Sequence, residues 1–227
     1  MRIIKPYAEI MQELDGAAIL RHIEICGRVC YKSEDKITPG SAEKFAKMLI
    51  ERGHEAMIEH YGFSVRFVVD RGVSHEIVRH RLASYAQEST RYCNYGKDGC
   101  TFVLPCWFGK SAAILLHHKW EFTDKYCEFT ELRAAERRWF ITCLDAEYAY
   151  ENAMEYYGLS PQEARSILPN SLKTELIMTA NLREWRHFLR LRTAKDAHPQ
   201  MREVAIPLLG ELKGLIPVVF DDIEVEV

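Results

Sequence analysis

Arg79, Arg81 and Arg91 lie in a thirteen-residue run, Arg-His-Arg-Leu-Ala-Ser-Tyr-Ala-Gln-Glu-Ser-Thr-Arg, together with the hydroxyls of Ser84, Ser89 and Thr90. A guanidinium presents a planar fork of donors matched to phosphate or carboxylate oxygens, and nearby hydroxyls complete an oxyanion's shell. The chemistry open to this stretch is recognition of a phosphorylated small molecule. A second basic cluster runs from Arg183 to Arg202, with five Arg and one Lys against Glu184 and Asp196. At about 100° per residue, Leu182, Trp185, Phe188 and Leu189 share the arc that a helix would bury. Arg183, Arg186 and Arg190 share another side, which reads as a solvated face. Arg192 projects into the apolar arc, where a guanidinium needs a protein carboxylate or a bound ligand, unless the helix ends before it.

The elements that must position these residues are legible in part. Arg2-Ile3-Ile4-Lys5 suggests an edge strand. Ser41, after the Pro39-Gly40 turn, is a plausible N-cap for a helix with Phe45, Met48 and Leu49 on one face and Gly53 as its stop. Phe63, Val65, Phe67 and Val69 alternate with polar residues, so residues 62–70 form a strand with one buried face. Val73 to Leu82 reads as a helix that carries Arg79 at its C-terminal end, and residues 84–95 as an extended loop. Residues 121–157 form one or two long helices ending at Gly158. Ser160-Pro161-Gln162-Glu163 is a capping box with proline at the first helical position, opening a short helix that stops near Pro169. Thr174 to Ala180 reads as a strand, and Asn181 opens the second basic helix. The fold class is α+β, with helices packed on a small, largely antiparallel sheet in a single domain over residues 1–227.

The chain of 227 residues is 48% hydrophobic and 28% charged, ordinary for a globular protein, and its net charge is −3. Basic islands on a mildly acidic chain point to localised anion sites rather than to nucleic acid or a membrane surface. The seven cysteines are odd in number and contain no Cys-x-x-Cys. With no signal peptide or long apolar span, reduced thiols in a cytoplasmic protein are expected. Cys93, Cys100, Cys106, His117 and His118 match no zinc spacing, so no metal is expected. His54 and His60 are six residues apart, which excludes the zinc-protease spacing. No glycine-rich phosphate loop or dinucleotide fingerprint occurs.

Arg79-His80-Arg81, followed after seven residues by Ser89, resembles the hallmark of the flavin-dependent thymidylate synthases. Arg28-Val29-Cys30-Tyr31, Gly53 through His60, Ala164 through Pro169, and Asn181 through Gln200 are similar to that family in order and approximate spacing, and together span most of the chain. The resemblance implies reductive methylation of dUMP to dTMP by a homotetramer. Methylenetetrahydrofolate would donate the carbon, FAD reduced by NADPH the hydride, and no protein nucleophile would take part.

Residue by residue, the resemblance implies that Arg79, His80 and Arg81 contact FAD, with Arg79 also facing the nucleotide. Gln87, Glu88, Ser89, Thr90 and Arg91 would bind dUMP, together with Glu76 and with Arg165 from the short helix. Asn181, Leu182, Arg183 and His187 would lie against the flavin, and His54, Gln87 and His198 would join that site. Arg192 would contact the uracil ring and favour its N3-deprotonated form, at the position the helical wheel singled out. Glu76, Ala56, Ala86 and Gln87 depart from the family pattern, which bears on individual contacts. Two rivals remain: a nucleotide-phosphate-sensing module without catalysis, and an RNA-binding protein using the basic helix with Tyr85, Tyr92 and Trp185.

Overall fold

The computed structural model describes residues 1–225 apart from Lys97, His117 and Glu128. In chain order its elements begin with β1 (Arg2–Ile4), β2 (Tyr7–Ile10), α1 (Gly16–Val29), α2 (Ser41–Glu51), β3 (Gly62–Asp70) and α3 (Arg71–Ile77). They continue with β4 (Ala83–Gln87), β5 (Thr101–Val103), α4 (Ala134–Glu155), α5 (Pro161–Ala164), β6 (Lys173–Asn181), α6 (Leu182–Thr193) and α7 (Pro199–Leu215). Short 3-10 turns intervene, including Glu55–His60 and Arg165–Ile167. Four strands form a sheet of order β2-β3-β6-β4. β1, the expected edge strand, pairs in parallel with β5 in a separate two-stranded sheet, with Ile3 opposite Phe102.

The chain divides into two compact units built from interleaved segments. The first comprises Met1–Tyr7, Val68–Ile77 and Ala86–Leu176. Its core gathers Ile3, Phe102, Leu115, Phe140, Leu144 and Leu172 around α4. Gly158, at φ +70°, terminates the turn after α4 in the left-handed region that glycine tolerates. Ser160 and Glu163 then form the expected box: the Glu163 carboxylate accepts from the Ser160 backbone N–H (2.9 Å) and hydroxyl (2.6 Å). Asp70 starts α3 by accepting the Val73 N–H at 2.7 Å.

The second unit comprises Ala8–Phe67, Val78–Tyr85 and Ile177–Val227. The buried positions of β3 are the alternating Phe63, Val65 and Phe67 that the pattern predicts. Trp185 stacks on Phe63 at 5.0 Å between ring centroids, and Phe188 packs against Phe67 at 5.8 Å. Leu182, Trp185, Phe188 and Leu189 are fully buried, as the helical wheel requires. Asn181 is the N-cap of α6, accepting the Glu184 N–H at 2.9 Å. Gly40 rather than Ser41 caps α2; the Ser41 hydroxyl instead donates to Glu24.

Three further local expectations are corrected. The long helices read over residues 121–157 give way to a 3-10 turn at Phe122–Tyr126 and to α4, which opens only at Ala134. The helix read over Val73 to Leu82 stops at Ile77, so Arg79 lies in the turn that follows rather than on a helix end. The loop expected from residue 84 begins as β4, whose small and polar residues carry no strong strand signal.

Candidate active site

Val78 to Leu82 leave the helix, and this turn separates three consecutive side chains. Arg79 and Arg81 are exposed, while His80 is buried. The His80 ring packs edge-on against Phe188 of α6 (4.9 Å) and lies 5.4 Å from the His187 ring. The Tyr85 hydroxyl donates to the His80 carbonyl at 2.5 Å, which holds the turn in place. Both imidazole nitrogens are engaged. Nδ1 lies 3.2 Å from Glu184 Oε1, and Nε2 lies 3.0 Å from Arg192 Nε.

The protonation state follows from donor chemistry. A guanidinium Nε–H can only donate, so His80 Nε2 accepts and the ring proton sits on Nδ1, donating to Glu184. Burial, reinforced by the charges of Arg192 and His187, lowers the His80 pKa from 6.5 to about 4. The imidazole is therefore neutral near pH 7, and its contact with Glu184 is a hydrogen bond rather than an ion pair. Burial raises the Glu184 pKa, with His187 opposing. Burial, aided by Glu184 and opposed by Arg192, pushes Tyr85 up to about 12.

This array forms one wall of a concavity of about 580 Å³ whose lining includes Arg79, His80, Arg81, Leu82, His187, Leu191 and Arg192. An adjoining concavity of about 590 Å³ shares Leu82, Glu184 and His187 with it and adds Asn181, Arg183, Arg190, Glu55 and Glu59. His80, Glu184 and His187 bring ligand atoms within 4.8 Å of one another, the spacing of a cation site. The His80 Nε2 lone pair, however, already accepts from Arg192, and the guanidinium beside it repels a cation. The group works as a hydrogen-bond network.

The first unit gathers other residues singled out from sequence. Arg165 donates to the Thr90 hydroxyl at 3.3 Å, bringing together two residues 75 apart in the chain. Gln87 Nε2 donates to Ser74 (3.0 Å) and Thr174 (3.3 Å). Glu88 accepts from the Tyr95 hydroxyl (2.8 Å) and pairs with Lys173 (2.9 Å). Its carboxylate is thus held by the protein itself. The Ser89 hydroxyl accepts the Arg91 N–H, and the exposed Arg91 guanidinium lies over Tyr92. Glu76 lies on α3, partly exposed.

Other residues stand apart. His54 lines a third concavity, of about 690 Å³, with Arg28, Lys36, Arg52 and Tyr31 rather than with His80. The Leu182 side chain is fully buried, so only its backbone could meet a ligand. His198 is exposed at the start of α7. Arg186, read as part of a solvated face, is fully buried; its guanidinium reaches Asp222 at 2.6 and 2.8 Å, Glu55 at 3.1 Å and the Val219 carbonyl. Arg190 joins Asp222 at 2.9 Å, while Arg183 pairs with Glu59. The partners Glu55 and Asp222 were missed because they lie 131 and 36 residues from Arg186. Glu184 was missed likewise, being 104 residues from His80, although it sits one position from the basic face; Tyr85, named only as a residue for RNA binding, instead bonds the His80 carbonyl. Among the thiols, Cys100 and Cys143 are buried, and burial raises both pKa values; His117 lies outside the described residues.

Comparison with known proteins decides the family. The model of the family described as "Thymidylate synthase complementing protein" matches residues 16–218. Flavin-dependent thymidylate synthase of Mycobacterium tuberculosis is 34% identical over 218 residues, covering 94% of this chain and 82% of that protein. The chain belongs to the flavin-dependent thymidylate synthase family. The Corynebacterium glutamicum member is 30% identical over the same coverage. Two solved structures share the fold: the UMP/dUMP methylase PolB of Streptomyces cacaoi bound with 5-Br dUMP (TM-score 0.74, 22% identity, 97% and 96% of the two chains) and thymidylate synthase X of Helicobacter pylori with FAD and dUMP (TM-score 0.68, 19% identity, 95% and 99%).

The donor set of this flavin-dependent thymidylate synthase family member fits a flavin dinucleotide. Exposed Leu82 and Leu191 offer apolar contact to a flat ring. Arg79 and Arg81 offer cations to a pyrophosphate and Asn181 a partner for hydroxyls, while the adjoining Arg183 is already paired with Glu59. Among the described residues no helix is long and apolar enough to cross a membrane.

Proposed function

We propose that the chain makes dTMP from dUMP by reductive methylation, with methylenetetrahydrofolate as carbon donor and NADPH as the electron source. The observation that carries this reading is the 3.0 Å bond from Arg192 Nε to a neutral, buried imidazole. C5 of a pyrimidine is a weak nucleophile unless negative charge can build on the ring. A guanidinium fixed beside N3 and O2 stabilises that charge as it develops. Because Nε is already held by His80, much of the orientation of Arg192 is set before substrate arrives.

Arg79, His80, Arg81, Asn181, Arg183 and His187 would hold FAD, with His54, Leu182, Gln87 and His198 as further contacts. Bound FAD, once reduced, would supply the hydride that completes the methyl group. Ser89, Thr90, Arg91 and Arg165 would hold the nucleotide phosphate and sugar, with Glu76, Arg79, Gln87 and Glu88 around them. No cysteine is needed as a nucleophile. The protein would act as a single-domain cytoplasmic homotetramer, with neither nucleic acid nor membrane as partner.

The test is dTMP formation from dUMP with FAD, methylenetetrahydrofolate and NADPH present, then with each omitted. Product that depends on all of them supports the reading. A protein that binds dUMP but makes no dTMP under any combination supports the nucleotide-sensing alternative instead.

A further inference from the structure

Glu184 is the third residue of α6, the position from which a glutamate ordinarily reaches back to the N-cap backbone. Its own N–H does receive the Asn181 side chain, at 2.9 Å. The carboxylate is committed elsewhere: it turns to His80 Nδ1, 104 residues away, at 3.2 Å, and is more than nine-tenths buried. Burying a carboxylate is costly unless it is hydrogen-bonded, and the partner this one has is His80 Nδ1.

We propose that Glu184 is a positioning residue for Arg192: by accepting the Nδ1 proton of His80 it fixes the tautomer whose Nε2 receives the Arg192 Nε–H. This role rests on the function proposed above. The alternative neutral tautomer carries its proton on Nε2, facing the Arg192 N–H, and two donors cannot bond to each other. Without Glu184, only the Arg192 Nε–H itself favours the Nδ1–H tautomer, and the Nδ1 proton loses its acceptor. The guanidinium is then held on His80 for only part of the time. Glu184 touches neither nucleotide nor reacting atoms in this account; it acts through His80, as an outer carboxylate sets the tautomer of a ligating histidine. The same commitment explains why a glutamate lies next to the basic face of α6 without pairing with its arginines.

The test uses the full-length protein with Glu184→Ala and Glu184→Gln, the latter keeping an acceptor for Nδ1–H. In protein labelled with 15N-histidine, the His80 resonance is assigned by its loss in His80→Gln. It should report Nδ1–H in the wild type and Glu184→Gln, and gain Nε2–H character in Glu184→Ala. Per bound flavin, Glu184→Ala should lose about 10- to 100-fold in kcat, the scale expected when a reacting group is misplaced by an ångström or less. KM for dUMP should move by less than about threefold, since uniform binding is untouched. Glu184→Gln should recover most of the loss. In an Arg192→Ala background, Glu184→Ala should cause no further loss, because the two act as one unit.

A His80 tautomer unmoved by Glu184→Ala overturns the proposal, as does a Glu184→Gln enzyme as impaired as Glu184→Ala. Reduced flavin content with unchanged kcat per flavin would make Glu184 structural only, and overturns it too. If the wild type forms no dTMP, the functional reading fails by itself, and the tautomer measurement still decides the link from Glu184 to His80.

Discussion

Arg192 Nε donates to His80 Nε2 across 3.0 Å, although the two residues are 112 apart in the chain. The bond joins the Arg-His-Arg turn to the end of α6, and it determines which proton His80 carries. It also gives the misplaced arginine of the helical wheel a partner that is neither a carboxylate nor a ligand.

Protonation of His80 removes that acceptor and places a second positive charge against the Arg192 guanidinium. Its pKa is about 4 in the folded chain against 6.5 for the free side chain, so between these values the unfolded chain binds more protons. Stability therefore falls as pH drops from about 6.5 to about 4, by on the order of 3 kcal/mol. Chemical denaturation across this range should show the loss in the wild type, and a His80→Gln variant should lack that component.

Arg165 approaches Thr90 from the turn that follows α5. If both face the nucleotide phosphate, Arg165→Ala removes a charge-assisted hydrogen bond worth about 1.5–3 kcal/mol, or roughly 10- to 100-fold in affinity. KM for dUMP should rise by that factor with kcat little changed. A fall in kcat at constant KM would move Arg165 from binding to the chemical step.

The buried Arg186 depends on Asp222 near the end of the described chain. Burial raises the Asp222 pKa, but Arg186 and Arg190 outweigh it and hold the carboxyl below its usual range. Asp222→Ala leaves the guanidinium with Glu55 and a carbonyl. Because Asp222 is 42% exposed, the loss should be nearer 1–2 kcal/mol than the 3–5 of a fully buried pair. A lower urea midpoint at unchanged slope would report it. Acid should weaken the wild type in the same place, as Asp222 protonates below the ordinary aspartate range.

The periodic parts of the chain are legible from sequence, and the parts that depend on distant partners are not. Alternation gives β3 its bounds, and 3.6-residue spacing gives α6 its buried face, because each signal lies within one element. The Ser160 box and the Asn181 cap are equally local. The turn after Ile77 is not local: burying His80 against Phe188 outweighs the helical run that otherwise continues to Leu82. Arg186 misleads for the same reason, since a wheel places it beside Arg183 and Arg190 and cannot see Asp222 or Glu55. The helices α1 and α7 and the short strands β2 and β5 went unread. Within the site, the arginines are recognisable by type, whereas Glu184 becomes visible only once His80 is placed over it.

The most direct test of the account is the release of tritium from [5-3H]dUMP, which reports loss of the C5 hydrogen. With FAD, NADPH and methylenetetrahydrofolate supplied, the wild type should release tritium in step with dTMP. Arg192→Ala should release it at least about 100-fold more slowly, the scale of losing one preorganised donor to a developing anion. Equal rates in the two proteins would contradict the claim that Arg192, held on His80, activates the pyrimidine.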